Sequence, residues 1–323
     1  MKETVKPRVV LSKCLELEAC RYNGQRIPNS FVNRLLHFVE VIPVCPEVEI
    51  GLGTPRDPIR IIEENGDHRL FQPASGKDVT AEMQDFSRQF LDSLPEVDGF
   101  ILKSRSPSCG PRDVKVYPGA EKKAPTGRTA GFFGEAVLEK FGHLAVEDEG
   151  RLNNFNIREH FLTRLFTLAR FRHLKNSAGM ADLVQFHARH KLLYMAYNQT
   201  EMRKMGRIVA NPRKEPLGIV LENYAGHLHL ALRRMPGFTS AINVLMHGLG
   251  YFSKKLMPPE KAFFLEALEN YRQGKVPLSV PVNLLQAWIV RFEEKYLAEQ
   301  YFFQPFPVEF VEITDSGKGR TQR

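Results

Sequence analysis

Three cysteines lie where apolar, strand-like segments of the chain end. Cys14, Cys45 and Cys109 each occupy a loop that follows such a segment. If the strands are parallel neighbours, their carboxyl ends meet at one edge of a sheet, where open α/β sheets place their binding sites. Three thiolates that converge there, without an obligatory fourth protein ligand, predict a metal site with one position left open. An open position suits catalysis better than a purely structural role.

The residues around the cysteines indicate turns rather than a packed interior. Cys45 lies in Pro-Val-Cys-Pro-Glu and Cys109 in Ser-Pro-Ser-Cys-Gly-Pro-Arg. A single cysteine is more often a small buried apolar side chain, but proline, glycine and serine at this density predict exposed turns. Four cysteines in 323 residues are too few for a disulfide-stapled secreted domain, and the sequence has no secretory signal. We therefore expect a cytoplasmic protein with reduced thiols.

The segments around these loops alternate between strand-like and helix-like patterns. Short apolar runs predict strands, and apolar residues at helical spacing predict the helices between them. This alternation predicts a parallel, doubly wound α/β domain over residues 1–150. The predicted strands are at residues 8–12, 39–44, 60–62, 99–103 and 143–146, and the predicted helices at 30–38, 78–94 and 131–141.

The second half of the chain has helical periodicity and no strand pattern. Glycine and proline interrupt the periodicity at intervals, so residues 151–310 are predicted to form an all-α domain. Residues 311–323 form a short, polar and basic tail. The predicted helices are at residues 157–174, 178–197, 199–210, 216–233, 238–256, 259–273 and 282–302.

The net positive charge of the chain comes entirely from its second half. Residues 1–150 hold 20 Lys and Arg against 23 Asp and Glu, a net charge of −3, whereas the remaining 173 residues hold 25 against 14, a net charge of +11. Seven of the ten histidines are also in the second half. This asymmetry predicts a polyanion-binding module attached to a nearly neutral catalytic domain.

The cysteine set favours an iron–sulfur cluster over zinc. Structural zinc sites take four ligands, and catalytic zinc sites more often include histidine or carboxylate. No Cys-x-x-Cys or His-x-x-x-His pair lies near these cysteines. Three separated thiolates suit a four-iron cluster better, because thiolates are its usual ligands. The iron left without a cysteine would be a Lewis acid able to bind a substrate sulfur.

The cysteine-bearing segments 14–24, 43–56 and 103–110 resemble the thiouracil desulfidase family. The basic helical half, especially residues 171–198, resembles a second domain often fused to it, and the combination is similar to the bacterial tRNA 4-thiouridine desulfidases. The resemblance covers roughly residues 7–310. One departure is the Leu-Glu-Leu-Glu sequence after the first cysteine, where the family has a glycine.

This resemblance implies a [4Fe-4S] cluster and the hydrolytic loss of sulfur from a thiocarbonyl group. The ligands matched by motif are Cys14, Cys45 and Cys109. Cys20 shares the first motif and is ambiguous. We rank it as a non-ligand, because a fourth thiolate would close the open iron.

Hydrolysis of a thiocarbonyl also needs a group that moves a proton. Glu47, two residues after the second cysteine, is our candidate for this role, and its alternative is a solvated surface glutamate. Ser106 and Ser108 flank Pro107 before the third cysteine and could orient the base or a water molecule. Both serines could equally be simple turn formers.

Substrate-binding candidates lie in the same loops. Arg21, Tyr22 and Arg56 could hold a phosphate or stack on a base, although each could equally be an ordinary loop residue. We assign no second metal to His173, His187 and His190. No nucleoside triphosphate site is assigned to the glycine-rich segment at 51–55 either, because it lacks the lysine of a phosphate-binding loop.

Three functions follow from these observations. The leading hypothesis is an enzyme that converts 4-thiouridine in tRNA to uridine and sulfide. The alternative is the same chemistry on free thiouracil or a 4-thiouridine nucleotide, with the helical half in a structural role. The third is a non-catalytic iron–sulfur sensor or RNA-binding regulator. The basic half favours the first, because a free nucleotide does not need it.

Overall fold

The computed structural model describes residues 5–121, 123–177 and 179–310, and the predicted tail at 311–323 lies outside them. An α/β region is followed by a helical region, which confirms the predicted fold class. In chain order the α/β region contains β1 (Arg8–Ser12), α1 (Ser30–Leu35), β2 (Glu40–Val44), α2 (Pro46–Glu49), β3 (Arg60–Glu64), β4 (Asp67–Gln72), β5 (Lys77–Asp78), α3 (Thr80–Ser93), β6 (Gly99–Leu102), β7 (Val114–Tyr117), β8 (Gly127–Thr129), α4 (Phe132–Phe141) and β9 (Ala145–Asp148).

A four-stranded parallel sheet forms the centre of the α/β region. Its strand order is β2-β1-β6-β9, and every neighbouring pair is parallel. All four residues of β6 and of β9 are buried, as expected for a parallel sheet covered on both faces. The predicted strand at 143–146 begins two residues later, at Ala145.

A second sheet, of mixed direction, was not predicted from the sequence. Its order is β5-β4-β3-β7-β8, and only β3 had been recognised as a strand. Its strand β4 begins with Asp67, His68 and Arg69, all exposed, so it has no apolar run to mark it. The Asn65–Gly66 turn between β3 and β4 was the available signal. Both residues have positive φ angles, 54° and 87°, as a tight hairpin turn requires.

The helical region agrees closely with the predicted pattern. It contains α5 (Phe155–Ser177), α6 (Met180–Tyr197), α7 (Gln199–Ala210), α8 (Leu217–Ala231), α9 (Phe238–Gly250), α10 (Pro258–Arg272), α11 (Ser279–Arg291) and α12 (Lys295–Glu299). The predicted single helix at 282–302 is in fact two, because Glu293 adopts a left-handed φ of 51° between α11 and α12.

The chain forms two compact units. One contains Val5–Arg172 and also Val308–Phe310, and the other contains His173–Pro307. In the second unit, α6, α9, α10 and α11 surround one apolar core that includes Phe252, Phe264 and Trp288. Among the described residues, no helix is both long enough and apolar enough to cross a membrane.

Candidate active site

The three predicted ligand cysteines follow three adjacent strands of the parallel sheet. Cys14 is two residues after β1, Cys45 directly follows β2, and Cys109 lies in the loop after β6. Because β2, β1 and β6 are neighbours and parallel, their following loops leave the sheet at the same edge. The predicted arrangement of the three loops is therefore present in the fold.

All four cysteines are buried, although the sequence around them predicts exposed turns. Their exposed fractions are 9% for Cys14, 6% for Cys20, 8% for Cys45 and 6% for Cys109. The Pro-, Gly- and Ser-rich sequences do form turns, but these turns fold back over the sheet edge. All four are free cysteines.

Cys20 lies between two of the predicted ligands. The Cys45 thiol donates to the Cys20 carbonyl oxygen at 3.8 Å, and the Cys20 side chain interacts with those of Cys14 and Cys45. The hydrogen bond with Cys14, together with burial, raises the pKa of Cys20 to about 11. Cys20 therefore lies beside the predicted ligands, and its position in the sequence motif does not by itself identify it as a non-ligand.

Burial favours the protonated form of the Cys45 and Cys109 thiols. The hydrogen bond to Cys20 and burial raise the pKa of Cys45, and burial raises the pKa of Cys109 to about 12. A bound metal reverses this preference, because a coordinating thiol loses its proton. The site is thus a set of sulfur donors that becomes ionised when a thiophilic metal binds.

These donors fit a cluster better than a single ion. Within the described part of the chain, no three Cys, His, Asp or Glu side chains are grouped closely enough to hold one ion. In a cluster each thiolate binds a different iron atom, so the ligands stand farther apart. A donor set made of sulfur alone, from three separate loops, is what an iron–sulfur cluster requires.

The loop that carries Cys109 is fixed on the first turn of α4. The amide nitrogens of Gly131, Phe132 and Gly134 donate to carbonyl oxygens of the loop at 2.7–3.1 Å. This approach requires glycine, because a Cβ atom on Gly134 would lie 2.5 Å from the Gly110 carbonyl oxygen. The sequence analysis missed this support, although two glycines at the start of a helix were a visible signal.

Glu47 is the centre of a hydrogen-bond network beside the thiols. It lies in α2, directly after Cys45, and its side chain is 13% exposed. Arg56 donates to Oε2 from Nε at 2.8 Å and from Nη2 at 2.7 Å. Ser108 donates to Oε1 at 2.6 Å, and Ser106 lies 3.4 Å from the same oxygen. The alternative of a solvated surface glutamate does not hold.

The directions of the two serine hydrogen bonds follow from proton accounting. An ionised carboxylate can only accept, so Ser108 gives its single hydroxyl proton to Glu47. The 2.9 Å contact between the two serine hydroxyls must then be donated by Ser106. The Ser106 oxygen in turn accepts from the backbone amides of Ser108 and Cys109. The result is a relay from the partly exposed Ser106 through the fully buried Ser108 to Glu47.

Arg56, one of the predicted substrate-binding residues, makes its contacts within the chain. Its side chain is 4% exposed, and beyond Glu47 it donates to the carbonyl oxygens of Cys20 at 3.0 Å and Gly53 at 2.7 Å. It therefore joins the Cys20 loop to Glu47. Arg21 and Tyr22 remain accessible, with the Arg21 guanidinium 5.3 Å from the centre of the Tyr22 ring.

A buried carboxylate on the neighbouring strand was also missed. Glu149, just after β9, accepts from Lys103 Nζ at 2.5 Å and from the backbone amide of Ser104 at 2.7 Å. These bonds tie the end of β9 to the start of the Cys109 loop. A charged residue at the end of a buried strand was the signal that could have indicated it.

The first cysteine loop contains one residue in a left-handed backbone conformation. Glu16, two residues after Cys14, has a left-handed φ of 64°, a conformation that favours glycine. Its carboxylate accepts from the backbone amide of Asn29, just before α1. This contact holds the glutamate in place and fixes the loop on the start of α1.

The fold and these thiols define a class of protein, an α/β domain with a sulfur-lined site at the carboxyl edge of a parallel sheet. Residues 9–149 match the family described as 2-thiouracil desulfurase. The Bacillus subtilis protein YbbK, described as uncharacterized, is 31% identical over 156 residues, which are 45% of this chain and 98% of that protein. The chain belongs to the 2-thiouracil desulfurase family.

Part of the helical region matches a second family. Residues 191–307 match DUF1722, a family described as being of unknown function.

The Escherichia coli protein YbgA, described as uncharacterized, is 28% identical to the chain over 158 residues, 48% of this chain and 93% of that protein. Among solved structures, the [4Fe-4S]-dependent thiouracil desulfidase TudS is 31% identical, with a TM-score of 0.36 over 46% of this chain and 93% of that one.

Proposed function

We propose that this protein is an iron–sulfur-dependent desulfidase that converts 4-thiouridine in tRNA to uridine and sulfide. The observation that carries the proposal is the position of Glu47, held by Arg56 and Ser108 beside three cysteine loops. Membership of a desulfurase family supports the reaction type.

Cys14, Cys45 and Cys109 would hold a [4Fe-4S] cluster, and Cys20 would remain a neighbouring thiol. When bound, the cluster supplies a thiophilic Lewis acid that polarises the thiocarbonyl of the substrate. The chain supplies the remaining requirement, which is the control of protons. Because the loops bury all four sulfurs, they also limit the access of water to the site.

Glu47 is the group suited to move the proton. Its Oε1 atom accepts from Ser108, while both donors of Arg56 on Oε2 keep the carboxylate in one orientation. A carboxylate held in this way can take a proton from an attacking water and return it to the ring nitrogen or the leaving sulfur. The Ser106–Ser108 relay connects it to the partly exposed side of the loop.

The helical region offers a basic surface for tRNA. On α7, Arg203 and Arg207 are exposed and about 6 Å apart along the helix axis. Arg213 and Lys214 are exposed in the segment that follows. The single acidic residue of α7, Glu201, is buried and bonded to Lys204 and His227. We call these four exposed residues the α7 basic surface.

Other basic residues and histidines of this region are less suited to RNA. Arg189 pairs with Glu299 at 3.1 Å, and Lys204 pairs with Glu201 at 2.8 Å. His190 is fully buried and stacks on Tyr301, with ring centres 4.3 Å apart. The α7 basic surface is therefore the better target for mutation.

The experiment is a desulfidation assay with anaerobically reconstituted protein on thiolated tRNA and on a free 4-thiouridine nucleotide. Replacing all four residues of the α7 basic surface by glutamate should abolish activity on tRNA and leave activity on the nucleotide. The family description, which names a free base, favours desulfidation of free thiouracil or thiouridine as the alternative. An equal loss of activity on both substrates, or no loss of activity on either, would contradict the RNA proposal and favour that alternative.

A further inference from the structure

The loop after β9 completes the carboxyl edge of the parallel sheet. β9 is the neighbour of β6, the strand whose loop carries Cys109, and the two strands are parallel. Adjacent strands lie about 4.8 Å apart, so the loop after β9 leaves the sheet beside the cysteine loops. Three of the four loops at this edge carry the cysteines, and the fourth carries Glu149 and Arg151. Open α/β sheets bind their ligands in the crevice outside this edge.

Two arginines meet on one carboxylate oxygen at this end of the sheet. Arg151 Nε donates to Oε1 of Glu147 at 2.9 Å, and Nη2 of Arg112 lies 3.6 Å from the same oxygen. Arg112 is three residues after Cys109, so the contact joins the Cys109 loop to the loop after β9. Because both guanidinium groups approach a single atom, they are neighbours in space.

The positive charges of this group are accessible, whereas the negative charges are buried. The side chains of Arg112 and Arg151 are 38% and 26% exposed, against 10% for Glu147. Asp148 and Glu149 are buried too. Asp148 accepts a hydrogen bond from the backbone amide of Arg151 at 2.9 Å. The accessible part of the group is therefore cationic, and the carboxylates hold it in place.

We propose that Arg112 and Arg151 bind the 5′-phosphate of the thiolated nucleotide that reacts beside the cysteine loops. The inference rests on the proposed function, because it adds a phosphate subsite for that substrate. A guanidinium group has five N–H donors, so the contacts with Glu147 leave donors for phosphate oxygens. Two arginines already held by a carboxylate lose little freedom when they bind a phosphate. A free base lacks the group that this pair recognises.

The test compares the full-length, anaerobically reconstituted protein with its Arg112→Gln and Arg151→Gln variants. The substrates are 4-thiouridine and its 5′-monophosphate, which differ only in the phosphate. The preference for the monophosphate is the ratio of the two kcat/KM values. We expect this ratio to fall about tenfold in each variant, because a charge-assisted hydrogen bond to the phosphate is lost. Partial unfolding cancels from the ratio, because both substrates are measured on the same sample.

Arg128→Gln is the matched control. Arg128 is an exposed arginine of the same compact unit and lies 3.9 Å from Asp113. This variant should keep the preference of the unmodified protein. The Arg112 variant alone decides the outcome if Arg151→Gln, which loses the hydrogen bond to Glu147, does not fold. An equal fall in the control would mean that net charge, and not this pair, sets the preference, which overturns the subsite.

A binding measurement separates this inference from the proposed function. Titration calorimetry with uridine and uridine 5′-monophosphate, the two reaction products, needs no turnover. A gain in affinity from the phosphate that both glutamine variants lose would support the subsite. If no thiolated substrate then releases sulfide, the proposed function alone fails. Normal desulfidation with an unchanged preference for the monophosphate in both variants would overturn the subsite alone.

Thiolated tRNA decides which phosphate the pair binds. Because a nucleotide within RNA keeps its 5′-phosphate, both variants should also raise KM for tRNA. A loss on the monophosphate with no change on tRNA would keep the subsite, assign it to free nucleotides and contradict tRNA as the substrate. A loss on tRNA with an unchanged preference for the monophosphate would overturn the subsite.

Discussion

Glu47 and Ser108, 61 residues apart in the sequence, share a 2.6 Å hydrogen bond beside the buried thiols. Glu47 lies two residues after Cys45 and Ser108 directly precedes Cys109, so the bond connects two of the three cysteine loops. Because the Glu47 carboxylate accepts the single hydroxyl proton of Ser108, Ser108 cannot at the same time donate a hydrogen bond to the Cys109 sulfur. The hydrogen bond therefore holds the Glu47 carboxylate in a fixed position beside the Cys109 loop.

Replacing each cysteine by serine separates ligands from neighbours. We expect Cys14→Ser, Cys45→Ser and Cys109→Ser to lose the cluster and the activity, because serine is a poor ligand for iron in such sites. Cys20→Ser should retain both. Iron and acid-labile sulfide are measured on anaerobically purified protein. Stoichiometric zinc without labile sulfide would rule out the cluster, and a cluster-free Cys20→Ser would make Cys20 a ligand.

Glu47→Gln keeps the side chain's size but removes the titratable group. We expect the cluster to persist and turnover to fall about 100-fold or more, the usual scale for losing a general acid–base group. The control is Glu49→Gln in the same short helix, whose partly exposed carboxylate lies 3.6 Å from Lys13. Activity of the Glu47 variant within a few-fold of the control would remove Glu47 from the mechanism.

Arg56→Lys tests whether this arginine positions Glu47 or binds substrate. Lysine cannot reproduce the two donors on Oε2, so the carboxylate should become less well oriented and kcat should fall about tenfold. KM should stay unchanged. A raised KM with an unchanged kcat would instead restore the role of phosphate ligand that the sequence suggested.

Gly134→Ala tests the attachment of the Cys109 loop to α4. The new Cβ would meet the Gly110 carbonyl oxygen at 2.5 Å, so we expect a loss of about 1–3 kcal/mol in the free energy of unfolding. Gly226→Ala in α8 is the control, because a Cβ there meets nothing within 4 Å and should stabilise the protein by about 1 kcal/mol. Denaturant unfolding of both variants measures the difference. Equal stability would show that the loop moves freely away from α4.

Salt dependence tests the α7 basic surface. Each phosphate contact releases counterions, so the affinity for tRNA should fall steeply as salt rises. Reversing Arg203, Arg207, Arg213 and Lys214 should reduce the log–log slope by about 3 to 4. Reversing Arg189 and Lys191 serves as a comparison, since Arg189 is paired with Glu299. An unchanged slope in the first variant would place the RNA elsewhere.

The parallel sheet and the three cysteine loops could be predicted because they depend on local patterns. Apolar runs mark buried strands, and β1, β2 and β6 all end just before a cysteine loop. The second sheet could not be recognised in the same way, since β4 begins with three exposed polar residues and β5 has only two residues. Burial of the thiols also escaped prediction, because it depends on how the turns fold back over the sheet edge.

Residue roles at the site depended on long-range contacts. Glu47 was recognisable from its position two residues after Cys45, but its partners come from residues 56, 106 and 108. A guanidinium commonly binds phosphate, and only the fold shows that the Arg56 guanidinium makes its hydrogen bonds within the chain.

Sulfide release from thiolated tRNA is the most direct test of the central claim. Anaerobically reconstituted protein is mixed with 4-thiouridine-containing tRNA, and the thiouridine absorbance and the released sulfide are followed together. We expect one sulfide for each thiouridine lost, over many turnovers, and no reaction with cluster-free protein. Unchanged absorbance and no sulfide from either tRNA or the free nucleotide, with the cluster intact, would contradict the assignment as a desulfidase.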